Sequence, residues 1–473
     1  MVKIAMIGAG SVEFCKKLVN DILFFESLKD AHIALMDIDA GRLKTTQEVM
    51  QNMRRQHNLA CTFSATTDRR EALKDADFAV SMIMAGGLEA YEADIHIPLK
   101  YGVDQCVGDT MNPGGVFRGL RHVPALVEIM RDVEEVCPGV LFMNYANPMA
   151  ICSWAIEKSF PHIEFVGLCH GVQHTTELLC LWLGVDRKDC EVLTAGINHM
   201  AWFLRFEYKG EDLYPRIWDK LEKGSPIMFE HYRFEVMKAT GYFMTESPGH
   251  LSEYLPYFRN RQDLMELFGG PVMAGDTAGF FKYTKAMAEY DDRNMAAMAS
   301  GEVPVPYRAG KKSEEYCADI MNARLTGVPF RFAGNVLNKG FITNLPYGCC
   351  VEVPVFADHA GLHPTYVGDL PTVCAALCRS NTSVQELAVD AALNGDYEAA
   401  YHACLLDPLT AAVLAPHEIR NMVDEMFEVQ KQWLPQFKDR KNTCPGATIG
   451  RRETGVNAVE AGEDVYARFT AGE

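Results

Sequence analysis

Two separate segments carry side chains able to do chemistry together. Val166–Val172 reads Val-Gly-Leu-Cys-His-Gly-Val and sets the Cys169 thiol beside the His170 imidazole; Asn198 and His199 follow further along the chain. A thiolate and a neutral imidazole from separate segments could hold a divalent ion and leave positions open for substrate oxygens. The plainer alternative is a core thiol acting as a small hydrophobe and a satisfied core imidazole. Near the N-terminus the run Ile-Ala-Met-Ile-Gly-Ala-Gly-Ser covers residues 4–11. Gly8, Ala9, Gly10 and Ser11 stand where a strand would meet a helix, and missing side chains there let a phosphate approach backbone N–H groups. Asp37 closes the next apolar run, where a carboxylate could accept from a ribose diol. Glu13 holds the place of the third glycine of the usual fingerprint, so a purely structural turn is the alternative.

More polar groups bear on the same region. Asn144-Tyr-Ala-Asn147-Pro ends an apolar run with two amides, and Gly108-Asp109-Thr-Met-Asn112-Pro-Gly-Gly is a turn-forming loop carrying a carboxylate. Arg118 and Arg121 follow on a helix face. His250, Glu253 and Tyr254 fall within about one helical turn. Loop punctuation, solvated arginines and a core tyrosine ring are the alternative readings.

The elements that position these groups alternate. Val2–Ile7, Ile33–Met36, Phe78–Met84, Val140–Asn144 and Glu164–Leu168 are short apolar runs suited to buried strands. Helical spacing separates them over Phe14–Leu28, Ala40–Gln56 and Pro148–Ser159. That alternation predicts an α/β fold, a Rossmann-like doubly wound parallel sheet, over residues 1–190. Sites in such sheets lie at the C-terminal ends of strands, where Cys169 and His170 fall. From 191 to 440 the pattern mixes helices, such as Val384–Asn394, with short β-like runs, which predicts a second, mixed α+β domain. Residues 441–473 lack apolar periodicity and are expected to be a flexible tail.

The 473-residue chain carries a formal charge of −18, which argues against nucleic acid or an anionic membrane as partner. No apolar run is long enough to span a membrane, and no leader pattern opens the chain, so a cytoplasmic location is expected. The fifteen cysteines are odd in number and irregularly spaced, as reduced core thiols would be.

Taken in order, these strings resemble glycoside hydrolase family 4, nearest its α-galactosidase branch. The resemblance runs from Lys3 to about Leu434 through IGAGS (7–11), GDTMNPGGVFRGLR (108–121), NYANPMA (144–150), VGLCHGVQ (166–173), AGINHMAW (195–202) and GYFMTES (241–247). It implies NAD and Mn²⁺, or another divalent cation, as cofactors and a homodimer or homotetramer. The implied reaction oxidises C3 of an α-linked sugar, removes the C2 proton, eliminates the aglycone, adds water and returns the hydride. Ordinary glycosidases instead set two carboxylates about an oxocarbenium-like transition state, and the NAD-dependent family is an exception to that rule. By the same resemblance Cys169 and His199 are metal ligands, His170 is the leaving-group acid and Tyr254 the C2 base. Asn147 and Asn198 are sugar-binding amides, and Asp109 and Arg118 are groups of the substrate or metal shell. Asn112 replaces the glycine more usual in this loop, so it is expected to narrow the pocket or add a hydrogen bond. α-Glucosides, α-glucuronides and α-galacturonides are alternative substrates within the family. Outside it, a 2-hydroxy-acid NAD dehydrogenase would share the dinucleotide half without needing Cys169.

Overall fold

Lys3–Ile7 forms β1, and its side chains divide between two cores. Ile4 and Met6 join one apolar cluster, Ala5 and Ile7 the other. A strand sends successive side chains to opposite faces, so an unbroken apolar run is what a sheet covered on both sides requires. The remaining strands are β2 (His32–Met36), β3 (Thr62–Thr66), β4 (Phe78–Ser81), β5 (Leu141–Asn144), β6 (Glu164–Gly167), β7 (Cys190–Ile197), β8 (Met200–Tyr208), β9 (Glu211–Asp212), β10 (Phe330–Leu337), β11 (Cys350–Asp358) and β12 (Gly361–Pro364). The computed structural model describes residues 1–438, so the tail expected at 441–473 lies outside the described residues.

The sheet order is β3-β2-β1-β4-β5-β6-β10-β11-β7-β8-β9, with β12 on β11. Its first six strands are parallel and carry the doubly wound order. From β6 onward every pairing is antiparallel, which makes the second part mixed. The predicted strand Phe78–Met84 ends at Ser81, although Met82 N–H still donates to the Ile7 carbonyl at 2.9 Å. The predicted helix Val384–Asn394 begins earlier, at Thr372. Its first half holds Asn381 and Thr382, which read as helix breakers. Both are buried, and Asn381 Nδ2 donates to the carbonyls of Leu377 and Tyr254.

Helix Asn112–Val136, in the connection between β4 and β5, is fixed by an ion pair away from water. Arg121 grips Asp94 with two hydrogen bonds of 2.9 and 2.6 Å, and Gln430 donates to the same carboxylate at 2.9 Å. Three distant helices, Gly87–Lys100, Asn112–Val136 and Pro416–Gln430, meet on this one carboxylate. No described helix is long and apolar enough to cross a membrane, and no described cysteine is in a disulfide.

Removing one partner of a buried pair strands the other charge. Asp94→Ala should therefore lower unfolding free energy by about 3–5 kcal/mol in a denaturant titration. A loss below about 1 kcal/mol would mean that Arg121 finds other acceptors.

Candidate active site

Cys169 leaves the C-terminal end of β6, and helix Gly171–Leu183 begins two residues later. His199 sits in the two-residue turn between β7 and β8, whose register pairs Ile197 with Met200. That turn holds His199 at φ 61°, a left-handed conformation costly for a residue with a Cβ. The structure brings the two together: Cys169 Sγ lies 3.3 Å from His199 Nε2.

A third donor joins them. Glu246 Oε2 is 3.6 Å from the Cys169 sulfur and 3.7 Å from His199 Nε2. The thiol, imidazole and carboxylate atoms all fall within 4.8 Å of one another. Glu246 is also left-handed, at φ 74°. Its carboxylate occupies the space that a Cβ at Gly171 would fill. Glycine at 171 thus makes room for Glu246. The sequence string GYFMTES contains Glu246, but nothing in its local pattern shows that it folds back onto Cys169.

The electrostatics suit a cation. Burial drives His199 down to about 3, which keeps its lone pairs free for a ligand bond. Burial would raise Glu246, but the His199, His250 and His170 rings hold it down to about 2. Burial, then Glu246 and Glu352, push the Cys169 thiol well up. A thiolate there would need a cation held in the cluster to sustain it. One soft donor, one imidazole and one carboxylate fit a divalent transition metal better than Ca²⁺ or Mg²⁺.

Around the cluster the other expected residues converge. Asn147 Nδ2 donates to Asp109 Oδ2 at 3.0 Å, and Arg118 Nε donates to the Asn147 carbonyl at 3.3 Å. Burial opposes the Asp109 charge, yet His250, Arg118 and Thr110 hold its carboxyl well below the usual carboxylate range. The His250 ring lies tilted against that of His199, with centroids 4.1 Å apart. Burial works against its proton, and Asp109 and Glu246 outweigh burial and raise it. Tyr254 ends helix Pro248–Tyr254, which Ser247 caps, and its ring centroid is 6.3 Å from that of His199. The Tyr254 hydroxyl is buried and has no partner within the described chain. Burial, then Asp109 and Glu253, push it well above 10, so a phenolate there needs the neighbouring cation.

Asn198 is fully buried. Its Nδ2 donates to Glu352 at 3.5 Å, while its Oδ1 has no partner within the described chain. His170 is half-exposed at the rim, with Nδ1 3.9 Å from Glu315. Glu253, the simpler base on pKa grounds, instead accepts from the backbone N–H groups of Val107 and Gly108. Burial pushes it up to about 7.

Of the two expectations for Asn112, the added hydrogen bond is met and the narrowed pocket is corrected. Its φ of 63° is the left-handed conformation that glycine would supply, and asparagine tolerates it better than most residues. Its Nδ2 donates at 3.0 Å to the Glu253 carbonyl and to Asp407. The side chain is buried in scaffold and does not narrow the pocket.

At the dinucleotide turn, Gly8 and Ala9 both donate N–H to the Met36 carbonyl at 2.9 Å. Gly8 takes φ 88° against the Met82 backbone. Asp37 accepts from Gly10 N–H at 2.7 Å and from Asp39 N–H at 2.9 Å. It braces the turn directly, and a Cβ at Gly10 would press on its carboxylate. Ser11 precedes helix Val12–Ile22 as its N-cap. The turn at the end of β1 thus leaves little side-chain bulk before the start of helix Val12–Ile22, where open α/β sheets can take a pyrophosphate.

Comparison with known proteins places the whole described fold in one family. Residues 3–185 match the model of the family 4 glycosyl hydrolases, and residues 194–410 match the model of that family's C-terminal domain. The chain is 38% identical over 460 residues to an α-galactosidase of Rhizobium meliloti, covering 95% of this chain and 94% of that one. It is 38% identical over 442 residues to an α-galactosidase of Bacillus subtilis, covering 93% and 100%. Among solved structures, the Bacillus subtilis protein lplD superposes with a TM-score of 0.81 at 28% identity, over 90% of this chain and 99% of that one. A 6-phospho-α-glucosidase from gut microorganisms, solved with NAD and Mn²⁺, shares the fold with a TM-score of 0.77 at 23% identity, over 92% and 100%.

Gly171→Ala should displace Glu246 while leaving the fold intact. Mn²⁺ binding by calorimetry should weaken at least tenfold, the scale set by lost metal-shell contacts. Unchanged affinity would remove Glu246 from the metal site. Glu352 supplies a second test, because burial raises it to about 8. Folding binds a proton there between the ordinary carboxylate range and pH 8. Its contribution to stability therefore falls as pH rises through that window. Glu352→Gln removes this loss. The variant's stability relative to wild type should grow by a few kcal/mol from pH 5 to pH 9, read by denaturant midpoint. A pH-independent difference would mean that Glu352 is ionised throughout.

Proposed function

This chain belongs to the family 4 glycosyl hydrolases, and we propose that its substrates are α-galactosides. The observation that carries the reading is the Cys169–His199–Glu246 cluster set against two buried atoms without partners, Tyr254 Oη and Asn198 Oδ1. Such atoms cost roughly 1–3 kcal/mol each when left unpaired, and sugar hydroxyls are the partners that would satisfy them. The identity with two α-galactosidases over nearly the whole chain supports galactose as the sugar.

In this reading Gly8–Ser11 and Asp37 hold NAD, and Cys169, His199 and Glu246 hold Mn²⁺ or a similar divalent cation. When bound, these groups supply reversible hydride transfer at the sugar's C3 and a Lewis acid beside it. The chain's own residues do the rest. Tyr254 takes the proton from C2, which is acidic only while C3 is a ketone. His170, half-exposed at the rim, gives a proton to the leaving oxygen. Asn147 orients the sugar and is itself fixed by Asp109, which His250 and Arg118 keep ionised. Asn198 Oδ1 accepts from a sugar hydroxyl, its other end tethered by Glu352.

Cleavage of an aryl α-galactoside should require NAD⁺ and Mn²⁺ in catalytic amounts, with no NADH accumulating per turnover. One NADH per product would mark a dehydrogenase instead. Faster turnover of the matching α-galacturonide or α-glucoside would reassign the sugar. With a C2-deuterated substrate, Tyr254→Phe should lose at least 100-fold in rate together with solvent exchange at C2. Near-normal turnover with the isotope effect intact would move the base to His250 or Glu253.

A further inference from the structure

Beyond the active site, two thiols face each other where helix Gly171–Leu183 passes the start of β7. Cys180 Sγ lies 3.6 Å from Cys190 Sγ. Among the described cysteines only Cys169 and Cys190 are partly exposed; the others are buried. Cys169 belongs to the metal cluster, so Cys190 is the reachable thiol outside it.

The surroundings of Cys190 add a second observation. β7 and β11 pair at Gly196 and Glu352 and diverge toward Cys190, which opens a crevice of about 170 Å³. Thr176, Arg187, Cys190, Thr194, Tyr316 and Arg331 line it, with no carboxylate among the lining residues. Both guanidiniums are anchored to the main chain. Arg187 donates to the Gln173 carbonyl at 3.0 Å, and Arg331 donates to the Val192 carbonyl at 2.8 Å. A small oxidant entering the crevice meets the Cys190 thiol, which donates to the Asp186 carbonyl at 3.4 Å, in a space that two guanidiniums also line.

We propose that Cys190 and Cys180 form a redox-active dithiol, with Cys190 the thiol attacked by a peroxide-class oxidant and Cys180 the thiol that resolves it. In the first step the Cys190 sulfur displaces one peroxide oxygen. Cys190 becomes a sulfenic acid, its proton leaves with the departing hydroxide, and one water forms beside the arginines. In the second step the Cys180 sulfur attacks the sulfenic sulfur, the S–S bond forms and the S–OH bond breaks. The hydroxide takes the Cys180 proton, releasing a second water. Two thiols are oxidised and one peroxide is reduced. The roles follow from exposure, since Cys180 is 1% exposed and burial keeps its thiol up at about 12. The sulfurs need to close from 3.6 Å to about 2.05 Å, a movement that side-chain rotation at the partly exposed Cys190 can supply.

The experiment treats the intact, NAD- and Mn²⁺-loaded protein with hydrogen peroxide at one to five equivalents, quenches with an alkylating agent and maps the peptides by mass. The expected product is a cross-linked Cys180–Cys190 species about 2 Da lighter than the two free thiols and reversed by dithiothreitol. In Cys180→Ser the same treatment should leave Cys190 as sulfinic or sulfonic acid, since no thiol resolves it. In Cys190→Ser, Cys180 should stay free. Should either variant fail to fold, the wild-type map alone decides. Full alkylation of both thiols at doses that oxidise other cysteines would overturn the proposal, as would Cys190 over-oxidation in wild type with Cys180 free.

Discussion

Holding a thiol and a carboxylate against one imidazole, out of water, is the constraint on which this molecule turns. Cys169 and Glu246 repel each other once both are charged, and burial magnifies the repulsion. The chain meets this with backbone geometry as well as with the pull of the His199, His250 and His170 rings on Glu246. His199 and Glu246 are both held in left-handed conformations, each costing on the order of 1–3 kcal/mol. Gly171 surrenders its side chain so that Glu246 can approach. Strain of this kind survives only where the surrounding scaffold over-determines it. Here the tight β7–β8 turn, the capped helix after Ser247 and the start of helix Gly171–Leu183 do so. A cation that neutralises the two anions relieves the repulsion that the fold withstands without it.

The same economy governs the layer behind. Asp109 is ionised because His250, Arg118 and Thr110 surround it, and it in turn fixes Asn147. Glu352, lacking any cationic neighbour, is pushed toward its neutral form and tethers Asn198 by hydrogen bonding. Environment thus pushes two buried carboxyl groups in opposite directions, Asp109 toward the carboxylate and Glu352 toward the neutral acid.

Much of this was legible in the amino-acid sequence, and the rest was hidden for definite reasons. The parallel strands were readable because both faces are covered, so their apolar runs are unbroken. Cys169 and His199 stood out because each directly follows such a run. Glu246 did not, since its partners are distant in sequence and its own segment carries no period. The Thr372–Asn394 helix hid its first turns behind polar residues that tertiary contacts satisfy. At Asn112 the sequence showed a departure from glycine but not its purpose, which is backbone conformation. Asp37 pointed outward to a ribose when read alone, and proves also to brace the glycine turn from within.

The order of strands has a consequence for how the protein is made. β6 and β7, which deliver Cys169 and His199, are consecutive along the chain yet not neighbours in the sheet. β10 and β11 lie between them, pairing Asn335 with Gly167 and Glu352 with Gly196. A nascent chain therefore exposes its ligand-bearing strands long before the two strands that space them have been synthesised. Contacts of such wide sequence separation form slowly, because a long loop closes before they can form. Completing the reactive centre thus waits on strands that end at residue 358, and a chain released short of there would carry its ligands without the frame that sets their distance.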